Sequence, residues 1–421
     1  MFAELLLLSQ AVEIVRVDGR SWPQPRCQQG QVPAGTWGPN GCVFADHMVL
    51  ASNDVWLGGS TPAKVFGSYA APGESITLSG VPVGTVVLPS NPFTADASGN
   101  WSISVSIKAS LTPYSLTFAG NINNPAAGGK PNSFTLQDVL FGHTFLCSGQ
   151  SNMAMRVGCS FGSLISDKNA EDATAYPEIR AMKNGPTGLW QSMAGQDSNG
   201  YPAVQNFSAT CWFTALHLKR NLPAFKTVPI GLVMSAVAAQ TIERFMSPAA
   251  LEKEGVPAAN ATGTSCSGQV AHTLYDTIIE PLVPFVFKTM IWYQGEANVH
   301  CNFVAAPSWE HNYYGRLLPE LIRSWRTLFG TNFTTLVVQL AAWGKPDRTT
   351  GRRTLDAVPA LRQAQYSALP LPHVGMVYPI DIGVRMIYIY TSLFLVSFYF
   401  VETRRTDIAV VPLMTSIGNN Y

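Results

Sequence analysis

The sequence predicts an α/β protein, a parallel sheet with crossover helices preceded by a small β-sandwich-like domain. Three observations lead there. Up to Asp138 the chain reads as short alternating or β-branched stretches cut by Gly, Pro, Asn and Ser; beyond it, apolar runs alternate with segments of helical periodicity. Charged residues make up only 13% of the 421 residues and hydrophobic ones 47%, so most of the chain is able to bury itself. The formal net charge is +1, with no basic stripe or acidic tail, which argues against nucleic acid as a partner.

Within residues 35–138, the stretches Ala63–Tyr69, Ser75–Leu78, Trp101–Ile107 and Tyr114–Phe118 have strand spacing. Trp101-Ser-Ile-Ser-Val alternates apolar and polar residues with period two, the pattern of a half-exposed strand. Within residues 139–383, parallel strands are expected at Val139–Cys147, Val228–Ala236, Val286–Tyr293, Thr335–Leu340 and Val374–Ile380. Amphipathic helices are expected at Ser208–Leu222, Gln269–Leu282, Trp309–Phe329 and Leu355–Leu369, with Pro319 kinking or dividing the third.

The termini depart from this pattern. Residues 1–34 open with four leucines behind Glu4 and lack a basic start, so they read as an incomplete secretory signal. Residues 384–421 form an apolar tail. Its run Met386–Val401 is short for a membrane span of about 20 residues, so a membrane tether is disfavoured against a buried strand pair or a non-native tail. Seven cysteines show neither a C-x-x-C pair nor zinc spacing, and no metal is expected. Cys147, inside an apolar run, reads as a buried free thiol. Sequons at Asn100, Asn206, Asn260 and Asn332 favour secretion only slightly.

Chemistry concentrates in two segments. In Leu146-Cys-Ser-Gly-Gln-Ser-Asn-Met153 an apolar strand runs into Gly149, and Ser151 falls at the strand's carboxyl end, where open α/β sheets carry their catalytic groups. A serine at a strand-to-helix turn can act as nucleophile with its own backbone N–H as oxyanion donor, or it can simply cap the helix. Met153 stands where a hydrolase elbow G-x-S-x-G needs glycine. The second segment, Thr289-Met-Ile-Trp-Tyr-Gln-Gly-Glu-Ala-Asn298, is another apolar strand ending in a polar cluster, where the amides of Gln294 or Asn298 are candidate oxyanion donors.

Together these blocks resemble the sialate O-acetylesterase family, an SGNH-type branch of serine esterases related to carbohydrate acetyl-xylan esterases. Weaker matches are Phe44-Ala-Asp-His-Met-Val-Leu, Pro229-Ile-Gly-Leu-Val with Ile242-Glu243, Leu361-Arg-Gln-Ala-Gln and Gly375–Gly383. The resemblance implies a flavodoxin-like SGNH hydrolase three-layer domain and hydrolysis of O-acetyl esters on an acetylated glycan or sialic acid. It also implies no cofactor and a secreted or lysosomal location. Ser151 and Asp381 would be catalytic. Gln150, Asn152, Gln294, Gly295, Glu296 and Asn298 would line the oxyanion and substrate site, Glu296 organising its turn by hydrogen bonds.

Two departures stand out. Ala238-Ala239-Gln240 replaces the family's Gly-Gly-Thr, so an oxyanion N–H survives there only if the backbone needs no positive φ. The family's late histidine is missing, because all seven histidines precede Asp381. A tail foreign to the fold would explain this; His300 and His373 are candidate substitute bases, disfavoured against ordinary loop histidines. The expectation is an O-acetylesterase impaired as written, and the alternative is a non-catalytic glycan-binding protein.

Overall fold

The computed structural model describes residues 38–39, 43–54, 60–81, 92–124, 129–160, 166–183, 190–196, 200–256, 270–300, 312–341 and 357–379. Asp381, the N-terminal segment and the apolar tail lie outside the described residues. The amino-terminal part supplies β1 (Gly38–Pro39), β2 (Val49–Ala51), β3 (Ala63–Ser68), β4 (Ser75–Val81), β5 (Phe93–Thr94), β6 (Trp101–Val105), β7 (Ser110–Asn124) and the long β8 (Lys130–Gly149). Strands β1, β3 and β6 pair antiparallel in one small sheet, and β5, β4, β7 and the first half of β8 pair in another. Trp101 of β6 reaches across to Phe118 of β7, ring centroids 5.5 Å apart, as facing sheets of a sandwich do. Along β6 burial alternates residue by residue, as its period-two sequence predicts.

Strand β8 continues past Asp138, which adopts φ 51° within it, and its second half becomes the central strand of a parallel sheet. Arg180 donates to the Asp138 carbonyl and, at 2.9 Å, to its Oδ1; His47 Nδ1 lies 2.7 Å from Oδ2. Those partners hold the Asp138 carboxyl below its ordinary range against the opposing effect of burial. The change of grammar at Asp138 therefore falls on a bend inside one strand.

The second part supplies β9 (Ile179–Met182), β10 (Trp190–Ser192), β11 (Ile230–Ala236), β12 (Thr289–Tyr293), β13 (Thr334–Val338) and β14 (Val374–Val377). They lie in the order β10-β9-β11-β8-β12-β13-β14, parallel apart from β10. The helices are α1 (Ser151–Ala154), α2 (Val157–Ser160), α3 (Ser166–Ala175), α4 (Ala209–Asn221), α5 (Pro248–Lys253), α6 (Glu296–His300), α7 (Asn312–Phe329) and α8 (Ala357–Gln365). Alternate residues of β8, β11 and β12 enter two different cores, one shared with α7 and α8 and the other with α4, so helices cover both faces of the sheet.

Four details differ from the sequence reading. Strands β9 and β10 were not expected, being too short for a clear apolar run. The span read as a helix at Gln269–Leu282 holds a π turn, Tyr275–Ile279, followed by a 3-10 turn. Pro319 does not divide α7: six fully buried side chains (Leu317, Leu318, Leu321, Ile322, Trp325 and Phe329), each contributing roughly 1.5–3 kcal/mol, outweigh the roughly 3 kcal/mol that an interior proline costs. Cys147 is not a free thiol but pairs with Cys211 of α4, 64 residues away, with Cα atoms 6.3 Å apart. Only the packing of α4 on β8 brings that partner into reach.

Candidate active site

The chain enters the parallel sheet at β8, crosses to β9 and β10 at one edge, comes back through β11 beside β8, and then crosses over to build β12, β13 and β14 on the other side. The strand order thus reverses at β8, and the crevice beyond its carboxyl end is the place where such sheets bind ligands. The register brings three strand ends level there, because Gly149 stands opposite Ala236 of β11 and Tyr293 of β12. The two polar segments, about 140 residues apart in the chain, become neighbours for this reason, and the loop 237–240 joins them.

Gly149 makes the approach close. It adopts φ +138°, and a Cβ there would meet the Tyr293 carbonyl oxygen at 2.1 Å. Gln150 N donates to that carbonyl (3.0 Å), and Val237 N donates to the Gly149 carbonyl (3.1 Å). Ser151 follows as the first residue of α1. Gln150, which precedes the helix, makes no side-chain cap, and Ser151 is not the capping residue that a structural role would require. The first turn of a helix leaves backbone N–H groups without helical acceptors, so the Ser151 N–H lies beside its own hydroxyl as an anion donor. Ser208 anchors the turn from behind: its Oγ donates to the Met153 carbonyl (2.6 Å) and accepts from Cys211 N (3.2 Å).

Around Ser151 the polar side chains form one buried amide network. Gln150 Oε1 accepts from Gln294 Nε2 (3.1 Å), Gly295 N (3.3 Å) and Ala297 N (3.1 Å). Gln294 Nε2 also donates to the Gln240 carbonyl (3.0 Å) and Asn298 Oδ1 (2.7 Å), while its Oε1 accepts from the Tyr314 hydroxyl of α7 (2.9 Å). Asn298 Oδ1 accepts from Ile242 N (3.0 Å) and its Nδ2 donates to Glu243 (3.0 Å). The amides of Gln294 and Asn298 are thereby committed to holding the three loops together. Gln365, in α8, donates to the Gln294 carbonyl (3.3 Å) and accepts from Leu340 N (2.9 Å). Neither Gln365 nor Tyr314 was singled out from sequence; only the Leu361-Arg-Gln-Ala-Gln block hinted at the former. Gly295 has φ +151°, and a Cβ on it would sit 2.7 Å from Leu361.

Two carboxyls are buried in this network. Glu296, at the start of α6, accepts from Asn152 Nδ2, and its Oε2 has no hydrogen-bond partner among the described residues. Burial pushes it up to about 7, against the opposing pull of its backbone hydrogen bond and of Asn152. Burial likewise raises Glu243, although Asn298 donates to it.

Five histidines, His47, His143, His217, His272 and His373, lie elsewhere. His143 sits at the amino end of the central sheet, buried, with Nε2 2.9 Å from Thr289 Oγ1; burial and the Lys288 charge depress it well below the ordinary imidazole range. His373 precedes β14 at the same amino end, roughly 13 Å along the strand from the carboxyl edge, and its carbonyl accepts from Thr335 N at 2.8 Å. That position removes it as a base for Ser151. His47, His217 and His272 are hydrogen-bonded to Asp138, Asn221 and Asp276. His300 ends α6, and His311 lies outside the described residues.

Residues 142–385 match the family described as carbohydrate esterase, sialic acid-specific acetylesterase, a span of more than half the chain. The chain belongs to that family. Human sialate O-acetylesterase is 32% identical over 213 residues, which cover 47% of this chain and 38% of that protein; the mouse enzyme is 31% identical over 242 residues, covering 47% and 41%. The chain thus spans well under half the length of these curated relatives. A crystal structure of a carbohydrate acetylesterase from Xanthomonas citri superposes with a TM-score of 0.59 at 26% identity, covering 82% of this chain and 69% of that one. The α/β architecture is accordingly that of SGNH-type carbohydrate esterases.

One departure from the family's glycine-rich loop now has a conformation. Ala239 adopts φ 58°, the left-handed region that costs a non-glycine residue about 1 kcal/mol. Ala239→Gly is therefore expected to raise stability by a few tenths to 1 kcal/mol, read as an increase in the urea midpoint at unchanged slope. A lower midpoint would mean that the alanine methyl makes a contact worth more than the strain.

Proposed function

We propose that the chain is a carbohydrate O-acetylesterase of the sialate type, with Ser151 as nucleophile. The observation that carries this reading is the register that sets Ser151 at the switch point, between the β11 loop and the Gln294–Asn298 block. Ser151 Oγ attacks the acetyl carbonyl carbon, and the resulting oxyanion is held by the Ser151 N–H. Collapse expels the sugar hydroxyl, and water then releases acetate from the acyl-serine. Gln150, Asn152, Gln294, Gly295, Glu296 and Asn298 fix the loops in that geometry, so the oxyanion role assigned to the two amides from sequence passes to the Ser151 N–H. Asp381 keeps its proposed place as the carboxylate of the triad.

The proton acceptor is the weak link. None of His47, His143, His217, His272 and His373 bonds Ser151. A positioned general base contributes about 10²–10⁴-fold, so turnover by this chain is expected to be reduced by that order. The same observation favours the second reading, a glycan-binding protein that keeps the pocket without the turnover. A lumenal or extracellular location is supported by the Cys147–Cys211 disulfide and by the exposed Asn332 of a sequon. No described helix is long and apolar enough to cross a membrane.

The test is acetate release from 4-nitrophenyl acetate and from 9-O-acetyl sialic acid by the wild-type chain beside Ser151→Ala. Loss of all release above the uncatalysed rate in the variant supports the esterase reading. Equal inertness of both proteins, with retained glycan binding, would favour the binding protein.

A further inference from the structure

The 3-10 turn Ile242–Phe245 directly follows the β11 loop, and Arg244 is its one residue that is not buried. Its guanidinium is held in place: Nε and Nη2 donate to Thr273 Oγ1 at 2.8 and 2.6 Å, and Nη1 donates to Gln240 Oε1. Gln240 is in turn the residue whose carbonyl receives Gln294 Nε2, one amide away from Gln150. The cation is thus held by neutral partners only and is linked through Gln240 and Gln294 to Gln150, the residue before Ser151.

Nothing described nearby neutralises it. No carboxylate lies within ion-pair distance of Arg244 among the described residues. Asp276 is engaged by His272 Nδ1 at 2.7 Å, Glu254 faces Arg316 at 4.0 Å, and the Glu243 carboxyl turns inward to Asn298. A guanidinium has five N–H donors; three are used, leaving one on each terminal nitrogen. A half-buried, immobilised cation with unused donors and no counter-ion is arranged to receive an anion, and the planar fork suits a carboxylate.

We infer that Arg244 reads the carboxylate of the substrate, so that this site takes an acidic, carboxylate-bearing acetylated sugar of the sialic acid class in preference to a neutral one such as acetylated xylan. The inference rests on the esterase reading for what enters the crevice. The carboxylate bound at Arg244 anchors the sugar while its acetyl ester reaches Ser151, making Arg244 a specificity residue with no part in bond breaking.

Binding isolates this role from turnover. The methyl α-glycoside of sialic acid and its carboxyl methyl ester, which removes only the charge, are titrated calorimetrically into the wild-type chain, Arg244→Ala and Arg244→Gln; the last can retain one of the neutral hydrogen bonds if the alanine variant folds poorly. The expected result is acid binding at least tenfold tighter than ester binding in the wild type, with that preference abolished in both variants and ester affinity unchanged. Equal affinities for acid and ester in the wild type, parallel weakening of both in the variants, or no binding of either by the folded wild type would each overturn the inference. Acetate release is read separately. Arg244-dependent binding without release would fail the esterase reading alone, whereas Ser151-dependent release without charge preference would fail this inference alone.

Discussion

Gln294→Leu is expected to lower the unfolding free energy of the chain by about 2–4 kcal/mol. Leucine has nearly the right volume, so the loss measures hydrogen bonding and little else. The side chain is fully buried, and its two amide hydrogens are shared among Gln150 Oε1, Gln240 O and Asn298 Oδ1, while its oxygen accepts from Tyr314. Most of these partners keep a second bond: Gln150 retains Gly295 N and Ala297 N, Asn298 retains Ile242 N, and the Tyr314 hydroxyl retains the Gln294 carbonyl. The Gln240 carbonyl loses its described donor outright. Gln240 is part-buried, so orphaning its carbonyl costs towards the lower end of the roughly 1–3 kcal/mol of a buried acceptor, and the weakened bonds of the fully buried Gln294 network add to it. Urea unfolding at constant pH measures the difference. A change under about 1 kcal/mol would mean that the three loops hold together without this amide.

Glu296→Gln is expected to change how stability depends on pH. In the folded chain burial raises this carboxyl to about 7, whereas in the unfolded chain it titrates near its ordinary 4.5. The folded state therefore binds the proton more tightly, and the stability associated with the neutral carboxyl is fully present below pH 4.5 and lost as pH rises towards 7. The displacement corresponds to about 3 kcal/mol at 1.36 kcal/mol per unit, and partial solvent access to the residue reduces this to about 2 kcal/mol. Glutamine cannot ionise. The stability difference between variant and wild type should be small at pH 4.5 and grow in favour of the variant by about 2 kcal/mol at pH 8. Other acids, Glu243 included, remain in both proteins and largely cancel. A difference that stays constant from pH 4.5 to 8 would mean that Glu296 is solvated and ionised throughout.

These effects share an origin that explains which parts of the protein were legible in its sequence. Five parallel strands were readable because a strand buried on both faces is written as a continuous apolar run, and Ser151 and Gln294–Asn298 were readable because polar residues follow two such runs abruptly. The amphipathic stripe of α7 is likewise a local property, strong enough to override Pro319. Short strands such as β9 and β10 carry too few residues for a period to show.

The roles of the site residues were less legible than their positions. Gln294 and Asn298 looked like donors for a reaction, yet their hydrogen bonds go to one another and to Gln150, Gln240 and Glu243. Whether an amide faces a substrate or its neighbours depends on which loops stand beside it, and those come from residues 54 to 147 positions away. The positive φ of Ala239 and the pairing of Cys147 with Cys211 are the same kind of fact.

Five parallel strands, the main helices and the two strand ends that carry chemistry are legible in the residues alone, since burial periodicity and strand-to-turn transitions are written within a few residues. What no short stretch carries is that Gly149, Ala236 and Tyr293 end level, that the amides close on one another, and that Arg244 has no acidic partner among the described residues. Register and charge pairing are set by contacts between distant segments, and no local pattern encodes them.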